Sequence, residues 1–416
     1  MGAGKSQAAI EYINNLPPGE RVVYTAIYND GAERIQKGCP DAKMYFPEHE
    51  EHSGKTKWPL IERAIKRGEN VACTHQALPF FSPETLDFVA YGNYTLIIDE
   101  SYDVLRPITA TDRKAFSFLL DHECLNVDED TGLVMFRNDF EEKSSDVLKS
   151  NIATLISHGN IYYVDGDLIF WTFPVGVLDA FSRIIVLSYM LDAQPMYYYL
   201  LHNKFQINNF GVHKFEDGHY EFCSPEDADG FPFNVRDKIE ILQREKLNSI
   251  GDGRTDLSVG WCTRTVKIDD KKGVAQLGRN VWNVFKHIYK CKPTDFAWTC
   301  FSRYRSKFKK KGIITRYIPY NQRASNKYSN AHYLAYAVNV FNQPNCYNYF
   351  KARGLEMDMD RWALSVMIQW IWRSAIRNGE KIYIYLPSKR MRDLLEDWMD
   401  SLEDNSLEAG GEEFAV

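Results

Sequence analysis

The chain has 416 residues, of which 44% are hydrophobic and 25% charged, and a formal net charge of −6 at pH 7. Those figures describe an ordinary globular protein of two or three domains, each long enough to bury a core. They exclude a strongly basic polyanion-coating protein, so nucleic-acid binding would have to come from local basic patches. No run approaches the roughly 20 apolar residues that span a bilayer, which predicts no membrane partner. The eight cysteines are scattered without a C-x-x-C pair or zinc-like spacing, the pattern of reduced thiols in a cytoplasmic protein.

The amino terminus reads Met1-Gly2-Ala3-Gly4-Lys5-Ser6, the closing half of a phosphate-binding G-x-x-x-x-G-K-[ST] loop. The first glycine of that pattern would fall before Met1, which predicts that Met1 occupies an internal position of the loop and that nucleotide binding by this chain is weakened. A helix over Ser6 to Asn15 follows, ended by Pro17-Pro18-Gly19. RVVYTAIY (21–28) reads as a buried strand, Trp58 to Lys66 as a helix, NVACT (70–74) as a strand and YTLIID (94–99) as the clearest strand of this region. Strands alternating with helices predict a parallel sheet covered on both faces.

Residues 105 to 173 break that rhythm with two helical stretches and a hairpin signal, IYYV-Asp165-Gly166-DLIFW. RIIVLSY (183–189) and a helix over Ala193 to Leu201 restore it. A second hairpin signal falls at Asp217-Gly218, and a charged helix is expected from Arg236 to Asn248. The second half is expected to carry a helix over Val274 to Tyr289, a strand over Asp295 to Phe301, a basic helix to Lys311 and a strand over Ile313 to Ile318. A helix over Arg361 to Arg377, a strand over Lys381 to Leu386 and a last helix over Met391 to Leu402 complete it.

Gly2, Gly4, Lys5 and Ser6 would cradle phosphates with backbone N–H groups at a helix start, Lys5 on the β/γ-phosphates and Ser6 on Mg²⁺. Gly54-Lys55-Thr56 lacks both the upstream glycine and a preceding strand, and reads as a decoy. Asp99 and Glu100 end an apolar strand; in a P-loop ATPase an acid at that strand end holds Mg²⁺, directly or through water, and the next glutamate can polarise the attacking water. Gln369, Arg373 and Arg377 are spaced by four, which on a continuous helix sets them on one face. There an arginine could stabilise charge developing on the γ-phosphate. Arg303, Arg305 and Lys307, interleaved with Tyr304 and Phe308, would either track a nucleic-acid backbone or form a solvated face above packed aromatics.

These motifs resemble those of the DEAD/DEAH-like helicases of superfamily 2, and most closely the helicase-like ATPases of bacteriophages. Asp99-Glu100-Ser101 resembles motif II, VVYTAIY (22–28) motif Ia, CTHQAL (73–78) motif Ib, IVLSYMLDA (185–193) motif III, FAWTCFS (296–302) motif IV and QWIWRSAIR (369–377) motif VI. Ser325 and Asn326 fall where motif V would. The resemblance implies an α/β fold of two RecA-like P-loop NTPase domains with parallel sheets and α+β insertions. Domain 1 would span residues 1–203 with an insertion at about 105–173, and domain 2 would span 204–400 with an inserted segment at about 205–265; an acidic, disordered tail at 401–416 follows.

The same resemblance implies ATP and Mg²⁺ as cofactors and a nucleic-acid partner, DNA favoured over RNA. Glu100, Gln369, Arg373 and Arg377 would be catalytic in a cleft between the domains, and Thr25, Thr74 and His75 would touch the strand backbone. Two alternatives are a DNA-packaging, terminase-like ATPase and a nucleic-acid-binding protein whose ATPase is inactive.

Overall fold

The computed structural model describes residues 4–47, 57–129, 131–137, 151–164, 168–268, 272–308, 316–322, 327–405 and 414–415. The protein is a mixed α/β chain built on parallel sheets. It divides into two compact units. An amino-terminal unit comprises Ile13–Ile207 and Gln343–Met357, and a carboxy-terminal unit comprises Met1–Tyr12, Asn208–Asn342 and Asp358–Ala415.

The amino-terminal unit contains β1 (Arg21–Ala26), β2 (Val71–Thr74), β3 (Tyr94–Asp99), β4 (Leu105–Pro107), β5 (Leu125–Val127), β6 (Val134–Phe136), β7 (Ile161–Val164), β8 (Leu168–Thr172) and β9 (Arg183–Leu187). Its main sheet runs β9-β3-β1-β2 with every pair parallel. Val22 to Ala26 of β1 and Tyr94 to Ile98 of β3 are all buried. Residues that alternate between faces can all be buried only if both faces are covered. The helices Asn29–Gly38 and Trp58–Lys66 pack on this sheet. The helix Pro83–Tyr91 starts where Ser82 accepts the Thr85 N–H and Pro83 takes the first turn. The buried Glu62 carboxylate fixes that start, accepting from Ser82 N and Thr85 Oγ1 at 2.7 Å each.

The interruption at 105–173 is an antiparallel sheet, β4-β8-β7, beside the pair β5-β6 and two helices, Ala110–Asp121 and Asn151–Ser157. The expected hairpin joins β7 to β8; its Asp165-Gly166 turn lies outside the described residues.

The carboxy-terminal unit contains β10 (Asn209–Lys214), β11 (Tyr220–Cys223), β12 (Ile239–Ile241), β13 (Phe296–Thr299), β14 (Tyr333–Tyr336), β15 (Ile382–Tyr385) and β16 (Phe414–Ala415). A fully parallel sheet runs β12-β15-β14-β13. β10 and β11 form the hairpin expected around Asp217-Gly218, and β16 pairs with β10.

Several expectations need correction. The window 236–248 is not one helix. Asn234 caps a short helix, Val235–Lys238, and Ile239–Ile241 become the edge strand β12. Ile239 and Ile241 flank Glu240 with a period of two, and pairing with β15 outweighs the helical propensity of the charged residues around them. β14 went unread, although it holds two partners in its sheet. The last helix runs from Lys389 to Asn405, into the segment expected to be disordered. Ile313, Gly54-Lys55-Thr56, Lys309 to Lys311, Ser325 and Asn326 lie outside the described residues.

Candidate functional site

The carboxyl ends of the strands in the amino-terminal sheet concentrate polar chemistry in a way the rest of that sheet does not. In parallel register, β2, β1, β3 and β9 deliver Thr74, Ala26, Asp99 and Leu187 to the same edge, followed in the chain by His75, Glu100 and Ser188. Ligands of open parallel sheets bind beyond this edge.

Asp99 is half-buried and accepts a hydrogen bond at 2.8 Å from the hydroxyl of Tyr24 on β1. Burial, and then the Asp99 carboxylate, push the Tyr24 phenol well above the usual tyrosine value, so it remains a donor. Nothing in the sequence marked Tyr24 for this contact, because it depends on β1 lying beside β3. Glu100 has φ +70° and donates its backbone N–H to Leu187 O at 3.3 Å. A glutamate in the left-handed region costs roughly 1–3 kcal/mol and persists only where the surroundings hold it. The turn after β9 repeats the feature, with Met190 at φ +51°. Between the two, the Ser188 hydroxyl is buried without a hydrogen-bond partner among the described residues. Strained turns, a carboxylate pair and an orphaned hydroxyl therefore share one edge.

The expected phosphate loop lies at the start of the helix Lys5–Asn14, with Lys5 and Ser6 half-buried in its first turn. Gly4 has φ +83° and its carbonyl accepts from Gln7 N and Ala8 N at 2.7 and 2.9 Å. A Cβ at this position would collide with the ring of Tyr220 on β11. Only glycine satisfies both the backbone angle and that close approach. Ala8 packs with Val212, Tyr220 and Phe222 of the β10-β11 hairpin, so the helix start is anchored in the carboxy-terminal unit. Gly2 lies outside the described residues.

The helix carrying Gln369 runs from Met359 to Ile371, capped at its start by Asp358, and ends there. Ser374 Oγ donates to Ile371 O at 2.7 Å, and a separate 3-10 turn spans Ala375–Asn378. Gln369, Arg373 and Arg377 therefore do not share one helical face, which corrects the spacing argument. The break has a packing cause: the Trp372 ring turns in against Phe231 and Trp398, at 5.3 and 5.9 Å. Arg373 is only 5% exposed and its Nε donates to Gln322 O at 2.8 Å, tying a loop down, whereas Arg377 is exposed.

Of the residues expected to touch a nucleic-acid strand, Thr25 is corrected. It is fully buried, with Oγ1 donating to Ile97 O at 3.4 Å across the sheet. His75 is buried against Tyr102, ring centroids 5.3 Å apart, while Thr74 is half-buried. Arg303, Arg305 and Lys307 are exposed on the 3-10 helix Ser302–Lys307, with Tyr304 and Phe308 buried beneath them. The Phe308 ring stacks on Trp298 at 4.8 Å, and the Arg305 guanidinium lies 4.5 Å over Tyr317. The aromatics serve packing, and the cations face outward. No cluster of three or more His, Cys, Asp or Glu able to hold a metal ion occurs among the described residues, whose cysteines are all free. No helix among them is long and apolar enough to cross a membrane.

Residues 233–399 match a family described as the YonV C-terminal Rossmann-like domain. That match contains the whole β12-β15-β14-β13 sheet together with Arg373 and Arg377. Over 407 residues the chain is 30% identical to the SPbeta prophage-derived uncharacterized protein YonV of Bacillus subtilis (strain 168), covering 96% of this chain and 97% of that protein. No solved structure matches the chain.

Proposed function

The chain belongs to the family of the prophage protein YonV, and from that premise we propose that it is an ATP-driven nucleic-acid helicase or translocase, with DNA the favoured partner. One observation carries the reading: Asp99 and Glu100 end a buried parallel strand in a strained turn beside Ser188, after a Gly4-Lys5-Ser6 helix start earlier in the chain. Strain held at a strand end next to a carboxylate is the kind of backbone outlier that accompanies catalytic turns. In this reading the two parallel sheets are the cores of two RecA-like domains.

The residue types that a nucleotide with Mg²⁺ calls for are present in the chain. This ion is commonly held by one or two carboxylates beside substrate phosphates, and Asp99 and Ser6 offer a carboxylate and a hydroxyl, both partly exposed. When bound, Mg²⁺ would neutralise charge on the phosphates. Lys5 and the N–H groups opening the helix Lys5–Asn14 would bind the phosphate chain. Tyr24 holds the Asp99 carboxylate in place through its hydroxyl. Glu100 would take the proton from the attacking water. Between the two arginines, Arg377 is the better cation for the transferring phosphoryl group, because Arg373 is buried as a tie to Gln322.

The test is phosphate release from ATP by the full chain, with and without single- and double-stranded DNA. Turnover stimulated by DNA and lost in Lys5→Ala and Glu100→Gln supports the proposal. Turnover that neither substitution changes, or none with any nucleic acid, overturns it.

A further inference from the structure

A cavity of about 320 Å³ opens in the amino-terminal unit where the 105–173 interruption meets the helices Pro195–His202 and Pro344–Lys351. Its lining includes Asn160, Tyr162, Tyr349, His158, His202 and Asn203, none of which the ATP reading uses. The volume sits at the small end of ligand-site sizes.

The cavity has an aromatic wall. Tyr349, 3% exposed, meets Tyr162 edge-on with centroids 6.4 Å apart. The Arg353 guanidinium stacks 3.7 Å over the Tyr349 ring and is held by donating to Tyr349 O and Thr131 O at 3.0 Å each. Asn160 is 6% exposed and lines the cavity. Its amide can meet a ligand edge that offers both a donor and an acceptor. Asn203 Nδ2 donates to Tyr199 O at 2.8 Å, which leaves its carbonyl oxygen as an acceptor. The exposed rings of His158 and His202 have no hydrogen-bond partner among the described residues. The Arg353 guanidinium also lies 6.0 Å over the ring of Tyr162, which lines the cavity, and partial burial and then the Arg353 charge lower the His202 pKa.

We propose that this cavity is a second nucleotide site, taking a base against the tyrosine wall and the Asn160 amide, with the phosphate near His202 and Arg353. A hydrocarbon ligand would leave the Asn160 amide unused, and a neutral sugar would leave the cation unused. A planar base with an attached anion uses every one of these groups. The nucleotide is either free or one unit of a single strand. The inference does not rest on the ATPase reading, because no residue of the phosphate loop or acidic strand end takes part. Phe173, which also lines the cavity, meets Tyr102 at 4.7 Å, two residues beyond Glu100 in the chain.

The experiment is calorimetric titration of the full chain carrying Lys5→Ala, so that the phosphate loop does not contribute, with AMP, GMP, CMP and dTMP. At least one is expected to bind at sub-millimolar concentration, and ribose alone is not. Asn160→Leu is expected to weaken that binding roughly tenfold, by removing a buried hydrogen-bonding group, and His202→Ala, at an exposed position, severalfold. Circular dichroism confirms folding of each variant, and His202→Ala decides alone if Asn160→Leu fails to fold. A short oligodeoxythymidylate that displaces the mononucleotide identifies the strand as the source; one that does not identifies the free nucleotide. No binding of any mononucleotide, or binding that the folded variants leave unchanged, overturns the proposal.

Discussion

The two parallel sheets end differently at their carboxyl edges. In the amino-terminal sheet the edge keeps half-buried acids, a glutamate held at φ +70° and a buried serine hydroxyl without a partner. In the carboxy-terminal sheet the strands run into Ala337, Val338 and Leu386, each at most 1% exposed, and the edge carries no half-buried acid at a strand end; the Thr299 and Tyr336 hydroxyls that close β13 and β14 are buried without a hydrogen-bond partner among the described residues, while the longer polar side chains beyond them are tied to loops. Asn339, fully buried just after β14, donates through Nδ2 to Arg254 O and Asp256 O at 2.9 Å each and accepts from Arg390 Nη1 at 2.8 Å. Arg390 also pairs with Asp360 at 2.5 Å, and Arg392 donates to Leu386 O and Pro387 O. This edge has its own left-handed residue, Leu257 at φ +62°, but Leu257 is fully buried and its carbonyl accepts the Asn339 N–H. One edge presents half-buried acids at a left-handed turn, and the other ties its loops down through Asn339, Arg390 and Arg392. In the proposed reading the first edge serves as the site and the second as a scaffold.

On the proposed reading, substitutions at the first edge change chemistry and those at the second change stability. The largest effect is expected from Glu100→Gln, which removes the proposed base while keeping its shape and should cut ATP turnover by about 10²-fold or more, with the unfolding midpoint in urea nearly unchanged. A comparable loss of stability there would break the comparison. Next comes Asn339→Leu, which removes a fully buried amide that pairs with the Arg254 and Asp256 carbonyls and with an arginine donor. It should cost about 3 kcal/mol in urea unfolding, and turnover per folded molecule should hold. Glu100→Gly relieves the left-handed backbone and should raise stability by about 1 kcal/mol while abolishing turnover, a stability–activity opposition that a scaffold residue would not show. The smallest effect is expected from Tyr24→Phe, which deletes one hydrogen bond to Asp99 and should lower stability by about 1 kcal/mol or less. Its larger signature should be a weaker apparent affinity for Mg²⁺ in the turnover assay.

Much of the fold was legible before any coordinates. The buried strands at 21–26, 94–99 and 183–187, both hairpins and the last helix follow from apolar runs and turn residues that act over a few positions. The misreadings arose where distant partners decide. Ile239–Ile241 is a strand only because β15 lies beside it. The helix after Met359 stops at Ile371 because Trp372 finds a pocket made by Phe231 and Trp398. Thr25 looked available to a nucleic-acid strand because its sequence position gives no sign that β3 covers it.

The sequence by itself determined that the chain is α/β, that parallel sheets form its cores, and which acids and lysine stand at element ends, since hydrophobic periodicity and chain punctuation are local. Only the tertiary structure decided which polar groups are already satisfied. Asp99 gains Tyr24, Asn339 exhausts its hydrogen bonds, and Arg373 is drawn inward to Gln322. The cavity around Asn160 likewise exists only because segments far apart in the chain close on one another. Burial and pairing depend on what arrives from elsewhere in the chain, and no local pattern records that.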